Sequence, residues 1–251
     1  MKATSLSRQI MGITALGVLS VAAQSAQATT TGNIGVFSKY VLRGVTNDAE
    51  SDDPALQGGF DYTHESGFYA GYWGSSLDYN YETGGDTDTA KTGFENDFYF
   101  GYAPTVGDVT FNIGLIQYYY ISVDDSDLTE ALLGVSYKGA YAKMQYLLND
   151  GVWGNSGDIY WTAGYAFELP SDFTFAIDLG YYTYEDDDND ELGGVTLQDS
   201  GFRHANFTLS HPIGETGATM GLTYVLAGET RDETEQGDTM VFNVKYNFDI
   251  N

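Results

Sequence analysis

Histidine is the commonest acid, base and metal ligand near neutral pH, and this chain has 3: His64, His204 and His211. They stand in separate segments, without the spacing of a metal site. A Ser-His-Asp hydrolase needs one imidazole held between a nucleophile and a carboxylate. His204, with Ser200 and Ser210 near it in sequence, is the candidate on a strand, but no motif links the three, and a bland strand histidine is the competing reading. Cysteine is absent, which removes a disulfide scaffold, a thiolate zinc site and a thiol nucleophile together. Carboxylates are plentiful: 36 Asp and Glu face 10 Lys and Arg, for a formal charge of -26. So acidic a chain repels phosphate backbones, which sets nucleic acid aside as a partner.

The densest acidic run is Glu185-Asp186-Asp187-Asp188-Asn189-Asp190-Glu191. Hard cations take clustered oxygens, so Asp186, Asp188 and Asp190 are weak candidate metal ligands. The run is not an EF-hand: counting from Asp186, Glu191 stands where the glycine belongs and Leu197 where the last acid belongs. Either it is a solvated loop, or it binds Mg²⁺ or Ca²⁺ loosely and bridges to lipopolysaccharide phosphates. Asp48, Glu50, Asp52, Asp53, Asp86, Asp88, Asp124, Asp125, Asp127, Asp232, Glu233 and Glu235 would extend the ring. No cofactor is implied.

Aromatic residues make up 15% of the chain, too many for a disordered acidic tail, and 31 glycines against 4 prolines favour strands joined by glycine turns. Lys2 and Arg8, the apolar run Ile10 to Val21 and the site Ala26-Gln27-Ala28 read as a secretory signal peptide over 1–28. The apolar run is shorter than the roughly 20 residues a spanning helix needs, and no later stretch is long and apolar enough. Residues 29–251 are expected to form one exported domain.

From Asn33 onward, segments of about ten residues alternate in polarity, as transmembrane strands do. Phe173, Phe175, Ile177, Leu179 and Tyr181 alternate with Thr174, Ala176, Asp178, Gly180 and Tyr182. Twelve strands are predicted, at 33–43, 55–64, 68–79, 95–103, 109–120, 128–137, 140–149, 158–168, 173–184, 202–210, 218–227 and 239–250. Short turns alternate with mostly longer, more acidic loops, the pattern of periplasmic turns and extracellular loops. A soluble sandwich also alternates. Aromatics at strand ends (Phe68, Tyr118 to Tyr120, Trp161, Phe173, Tyr181 to Tyr184, Tyr246, Phe248) fit membrane-interface girdles and favour an all-β, antiparallel up-and-down transmembrane β-barrel in the outer membrane, touching its lipid and lipopolysaccharide.

Three early segments carry a resemblance: Ser38-Lys39-Tyr40-Val41-Leu42-Arg43-Gly44-Val45-Thr46, Pro54-Ala55-Leu56-Gln57-Gly58-Gly59-Phe60-Asp61-Tyr62 and Gly67-Phe68-Tyr69-Ala70-Gly71-Tyr72-Trp73-Gly74-Ser75-Ser76, followed by Glu95-Asn96-Asp97 and Gly101-Tyr102. Over the first third of the exported chain this resembles the TorF-type (Gcw_chp) family of bacterial outer-membrane porins. The resemblance implies a barrel with a channel as the usual presumption, and no catalytic residues.

Lumen side chains set selectivity. Parity turns Lys39, Arg43, Lys143 and Lys245 inward together with Asp61, Glu95, Asp97, Glu130, Glu168 and Asp178, while strand 68–79 admits either parity. Charges of both signs then either link into a network that plugs the barrel or line a water-filled passage. About 8 strands are filled by side chains and 16 to 18 leave a channel, so twelve lies between. No loop is long enough to be an obvious folded-in constriction, which favours a strand-lined passage for small hydrophilic solutes with weak cation preference. The alternative is a non-conducting barrel whose acidic loops bind divalent cations or a surface partner.

Overall fold

The computed structural model describes residues 28–47, 53–81, 91–121, 123, 125–186 and 191–250. The predicted signal peptide, apart from Ala28, lies outside these residues, as do Asp188 and Asp190.

Along the chain come β1 (Thr29–Phe37), β2 (Ala55–Thr63), β3 (Phe68–Tyr81), β4 (Lys91–Tyr102), β5 (Thr105–Val106), β6 (Val109–Tyr120), β7 (Leu128–Tyr137), β8 (Ala140–Leu147), β9 (Ile159–Glu168), β10 (Thr174–Thr183), β11 (Ser200–Pro212), β12 (Ala218–Ala227) and β13 (Thr239–Ile250). Long strands adjacent in sequence pair antiparallel. The two-residue β5 only decorates the turn before β6, so β4 pairs directly with β6. β1 pairs with β13 from Thr30↔Ile250 to Phe37↔Asn243, and twelve long strands close into a ring. Closure is what a membrane demands, because hydrocarbon offers no partner to an exposed strand edge.

Period-two alternation sets the two faces. On β10, Leu179 is 49% exposed on the outside while its neighbour Asp178 is 2% exposed inside. β3 resolves in favour of Phe68 and Ala70 outward and Trp73, Ser75 and Leu77 inward. The tightest turn is Lys138-Gly139, both at positive φ (45° and 84°), the backbone that matches the twist of a two-residue hairpin. Thr29 pairs with Thr63 beside the short turn His64 to Gly67, and Ile250 pairs with Thr30. Both described chain ends therefore sit on the short-turn side.

The first strand departs from expectation. It ends at Phe37 instead of running to residue 43, so Lys39 and Arg43 are not strand residues. The Ser38 N–H donates to the Phe242 carbonyl (2.8 Å), and the Phe242 N–H to Ser38 Oγ (2.9 Å). Past this anchor the chain leaves the ring and turns into the barrel. Tyr40 and Val41 are adjacent apolar residues that alternation would place on opposite faces, yet both are buried inside. Tyr40 joins a lumen cluster with Trp73, Leu77, Ile116, Tyr118 and Tyr120, and Val41 joins one with Phe37, Val225 and Val241. A folded-in segment thus does exist, contrary to the reading from loop length, because it needs only the few residues between Ser38 and Thr46.

Candidate functional site: the occluded lumen

The inward segment ends in Arg43 and Gly44, both at positive φ (49° and 78°). A Cβ on Gly44 would stand 2.3 Å from the Arg203 carbonyl oxygen, so glycine is what lets the segment lie against β11. Arg43 then reaches across the lumen. Its Nη1 and Nη2 donate to the two Glu130 carboxylate oxygens at 2.8 and 2.6 Å, Nη2 donates to Tyr118 Oη at 3.0 Å, and Nη1 donates to Tyr182 Oη. Its guanidinium lies 4.5 Å from the Tyr160 ring centroid, where a cation is attracted by the aromatic face. Glu130 also accepts from Tyr118 Oη (2.8 Å) and Gln145 Nε2 (2.7 Å). Five strands, β6 to β10, converge on this one latch.

Lumen carboxylates recurrently accept from tyrosine. Glu95 accepts from Tyr40 (2.5 Å) and Tyr120 (2.9 Å), Asp61 from Tyr99 (2.5 Å), and Asp178 from Tyr141. A phenol spans several ångströms of lumen and donates without adding charge, which suits a narrow barrel. His204 shares a hydrogen bond with Tyr160 Oη (2.6 Å), and Gly180 makes room for the pair, since a Cβ there would meet His204 Nε2 at 2.3 Å. The hydroxyl that His204 meets is a phenol. Ser200 bonds instead to Tyr181 (2.8 Å).

Of the residues expected to line the lumen, Asp61, Glu95, Asp97, Glu130, Lys143, Asp178 and Lys245 occupy inward strand positions, all buried or half-buried. Arg43 also lies inside, carried there by the loop. Lys39 is half-buried on that loop, and Glu168 is exposed at the short-turn end of β9. Parity missed Arg203. Pairing shifts register at Gly180/Tyr181, so Arg203 and His204, adjacent in sequence, are both buried, and Arg203 Nη1 donates to the Glu229 carbonyl (2.5 Å). It also missed how the aromatics divide: Tyr119 (45% exposed) and Tyr181 (44%) face outward, whereas Tyr118, Tyr120 and Tyr184 are buried.

At the long-loop end, Arg231 Nη2 donates to both oxygens of Asp158 at 2.8 Å. Burial pushes the Asp158 carboxyl up from the ordinary range, while Arg231 and the Glu185 and Asn155 N–H groups pull it back. An open concavity of about 580 Å³ is lined by Tyr119, Tyr120, Asp125, Asp127, Asp150 and Glu191. Asp186 is exposed, and among the described residues no three His, Cys, Asp or Glu stand close enough to hold a metal ion.

A family model described as a bacterial protein of unknown function (Gcw_chp) matches residues 21–248. No curated protein matches the sequence. Among solved structures, a KdgM porin is similar at a TM-score of 0.54 with 8% identity, over 88% of this chain and 99% of that one. A NanC porin is similar at 0.52 with 12% identity, over 88% and 100%. At such identities the likeness is one of fold.

Proposed function

From the premise that this chain belongs to the Gcw_chp family and closes into a barrel like those of two porins, we propose that it is an outer-membrane channel for passive passage of small hydrophilic solutes, with weak cation preference. The observation that carries this reading is the lumen wall. Asp61, Glu95, Asp97, Glu130 and Asp178 face Arg43, Lys143, Arg203 and Lys245 inside one ring, and the described ion pair among them, Arg43 with Glu130, leaves Asp97 and Asp178 oxygens without a protein partner. Between its anchors at Ser38 and Thr46, the occluding segment is held across the lumen by side-chain contacts of Tyr40 and Arg43. The acidic rim supports the cation preference, since clustered carboxylates concentrate cations over a Debye length of about 8 Å at physiological salt.

The latch favours a second reading. A lumen crossed by Arg43 and Glu130 suits a non-conducting barrel whose acidic outer loops take divalent cations bridging to lipopolysaccharide, or a surface partner. Planar-bilayer recording of the refolded protein in a KCl gradient separates the two. Discrete conductance with a cation-selective reversal potential is the expected result; an anion-selective sign overturns the cation preference, and silence overturns the channel.

A further inference from the structure

Arg43, Asp97, Lys143, Thr162, Asp178, His204 and Asn206 are among the residues around an internal cavity of about 60 Å³. Its two carboxylates come from opposite walls, since β4 and β10 stand five strands apart around the ring. Both are only 2% exposed. Asp97 Oδ1, Asp178 Oδ2 and Thr162 Oγ1 are buried with no hydrogen-bond partner. Part of the surroundings is engaged: Arg43 is bonded to Glu130, the second Asp178 oxygen accepts from Tyr141, and Glu95, hydrogen-bonded to the Asp97 side chain, accepts from Tyr40 and Tyr120, while Arg43 Nε, His204 Nδ1 and Asn206 Oδ1 are unpartnered like the three oxygens. None of the described ion pairs includes Asp97.

A buried carboxylate oxygen without a donor carries an uncompensated desolvation penalty, so these oxygens call for an electropositive guest. Size and charge narrow its class. At about 10–15 Å³ per water the cavity takes a handful of water-sized particles, far below the 300–1,000 Å³ or so of sites for organic ligands. Ca²⁺ wants about 6–8 oxygens around it and Mg²⁺ a near-ideal octahedron, neither of which two carboxylates on opposite walls supply. Lys143 in the wall further penalises a second positive charge. We propose that this cavity binds one partly hydrated alkali cation between Asp97 and Asp178, with Thr162 as a further oxygen. That bound ions go on through the barrel rests on the channel reading; the binding itself does not.

The test is ²³Na⁺ relaxation in NMR on the refolded full chain in detergent, titrated with NaCl. Wild type is expected to give saturable excess line broadening that KCl displaces. Asp97→Asn should weaken the apparent affinity about tenfold or more, as expected for loss of a charged partner, and the surface control Glu215→Gln, exposed in a short turn at the other end of the barrel, should not. Asp178→Asn serves equally if the first variant fails to refold. Absence of saturable broadening in wild type, or equal broadening in the Asp97 and Asp178 variants, overturns the site. Asp97-dependent broadening in a barrel that passes no current would uphold the site and sink the channel, whereas current without such broadening would do the reverse.

Discussion

Arg43 is bonded to Glu130, Tyr118 and Tyr182 from three different strands, so replacing it leaves a buried carboxylate without its cation. Loss of one member of a buried ion pair costs about 3–5 kcal/mol. Arg43→Ala should therefore lower the unfolding free energy by that order, measured by urea titration in lipid vesicles, and raise conductance by freeing the inward segment. Arg43→Met with Glu130→Leu should recover much of the stability, because the pair is then replaced by apolar groups of similar bulk; no recovery would show that the latch contributes through something other than its charges. Acidification acts elsewhere. Hydroxyls of Thr230 and Thr234 hold the Asp232 carboxyl below the ordinary range, and the Tyr224 hydroxyl with the Ala227 N–H does the same for Asp238. A depressed carboxylate stabilises above its unfolded pKa of about 3.9 and loses that contribution as pH falls through the lower folded value. The loop from Gly228 to Asp238 should loosen below about pH 4, seen as hydrogen exchange faster than intrinsic rates explain. Unchanged protection at pH 3 and pH 6 would refute this. Glu130 was legible as an inward charge because charge and parity agree on β7, whereas Arg43 lies inside by way of a loop that strand parity does not describe. Their tyrosine partners were not legible, since a tyrosine suits the lipid interface and the lumen equally well.

Strand alternation is what the sequence displays most openly, and it gave the correct faces for β9, β10 and β13. It failed where the chain stops alternating. In β11 the register shift between β10 and β11 leaves Arg203 and His204 both inside, and one added residue is invisible to a period-two reading. β1 was overextended for a related reason: Tyr40-Val41-Leu42 looks like strand by composition, but its end is set by the Ser38–Phe242 contacts with the last strand, far off in sequence. A direct check of facing lies on β12, where Leu222 is exposed between Leu209 and Phe242 on neighbouring strands. Leu222→Arg should cost about 2–4 kcal/mol in a bilayer if that belt lies near mid-depth. A change indistinguishable from zero in vesicles would move the belt to an interface.

Closure was readable because every backbone polar group must be paired within the membrane, and strand number and alternating connections because each strand shows as one alternating segment between turns. Lumen filling was not readable. It depends on where a short inward segment finds partners across the ring, and local pattern carries no trace of that. Occlusion and acidity lie at different depths: the described acidic loops stand at the long-loop end, and the Arg43 contacts cross the lumen.

The inward segment is tied at both ends to the same part of the chain. Ser38 bonds to Phe242, while Thr46 bonds to Gln236 (3.0 Å) and Gly237 (2.6 Å). The strand pair that closes the ring, first against last, is thus also the pair that carries the stopper. Docking of the last strand and anchoring of the inward segment therefore draw on the same few residues, so a change at Ser38 or Thr46 touches the seam of the ring and its filling together.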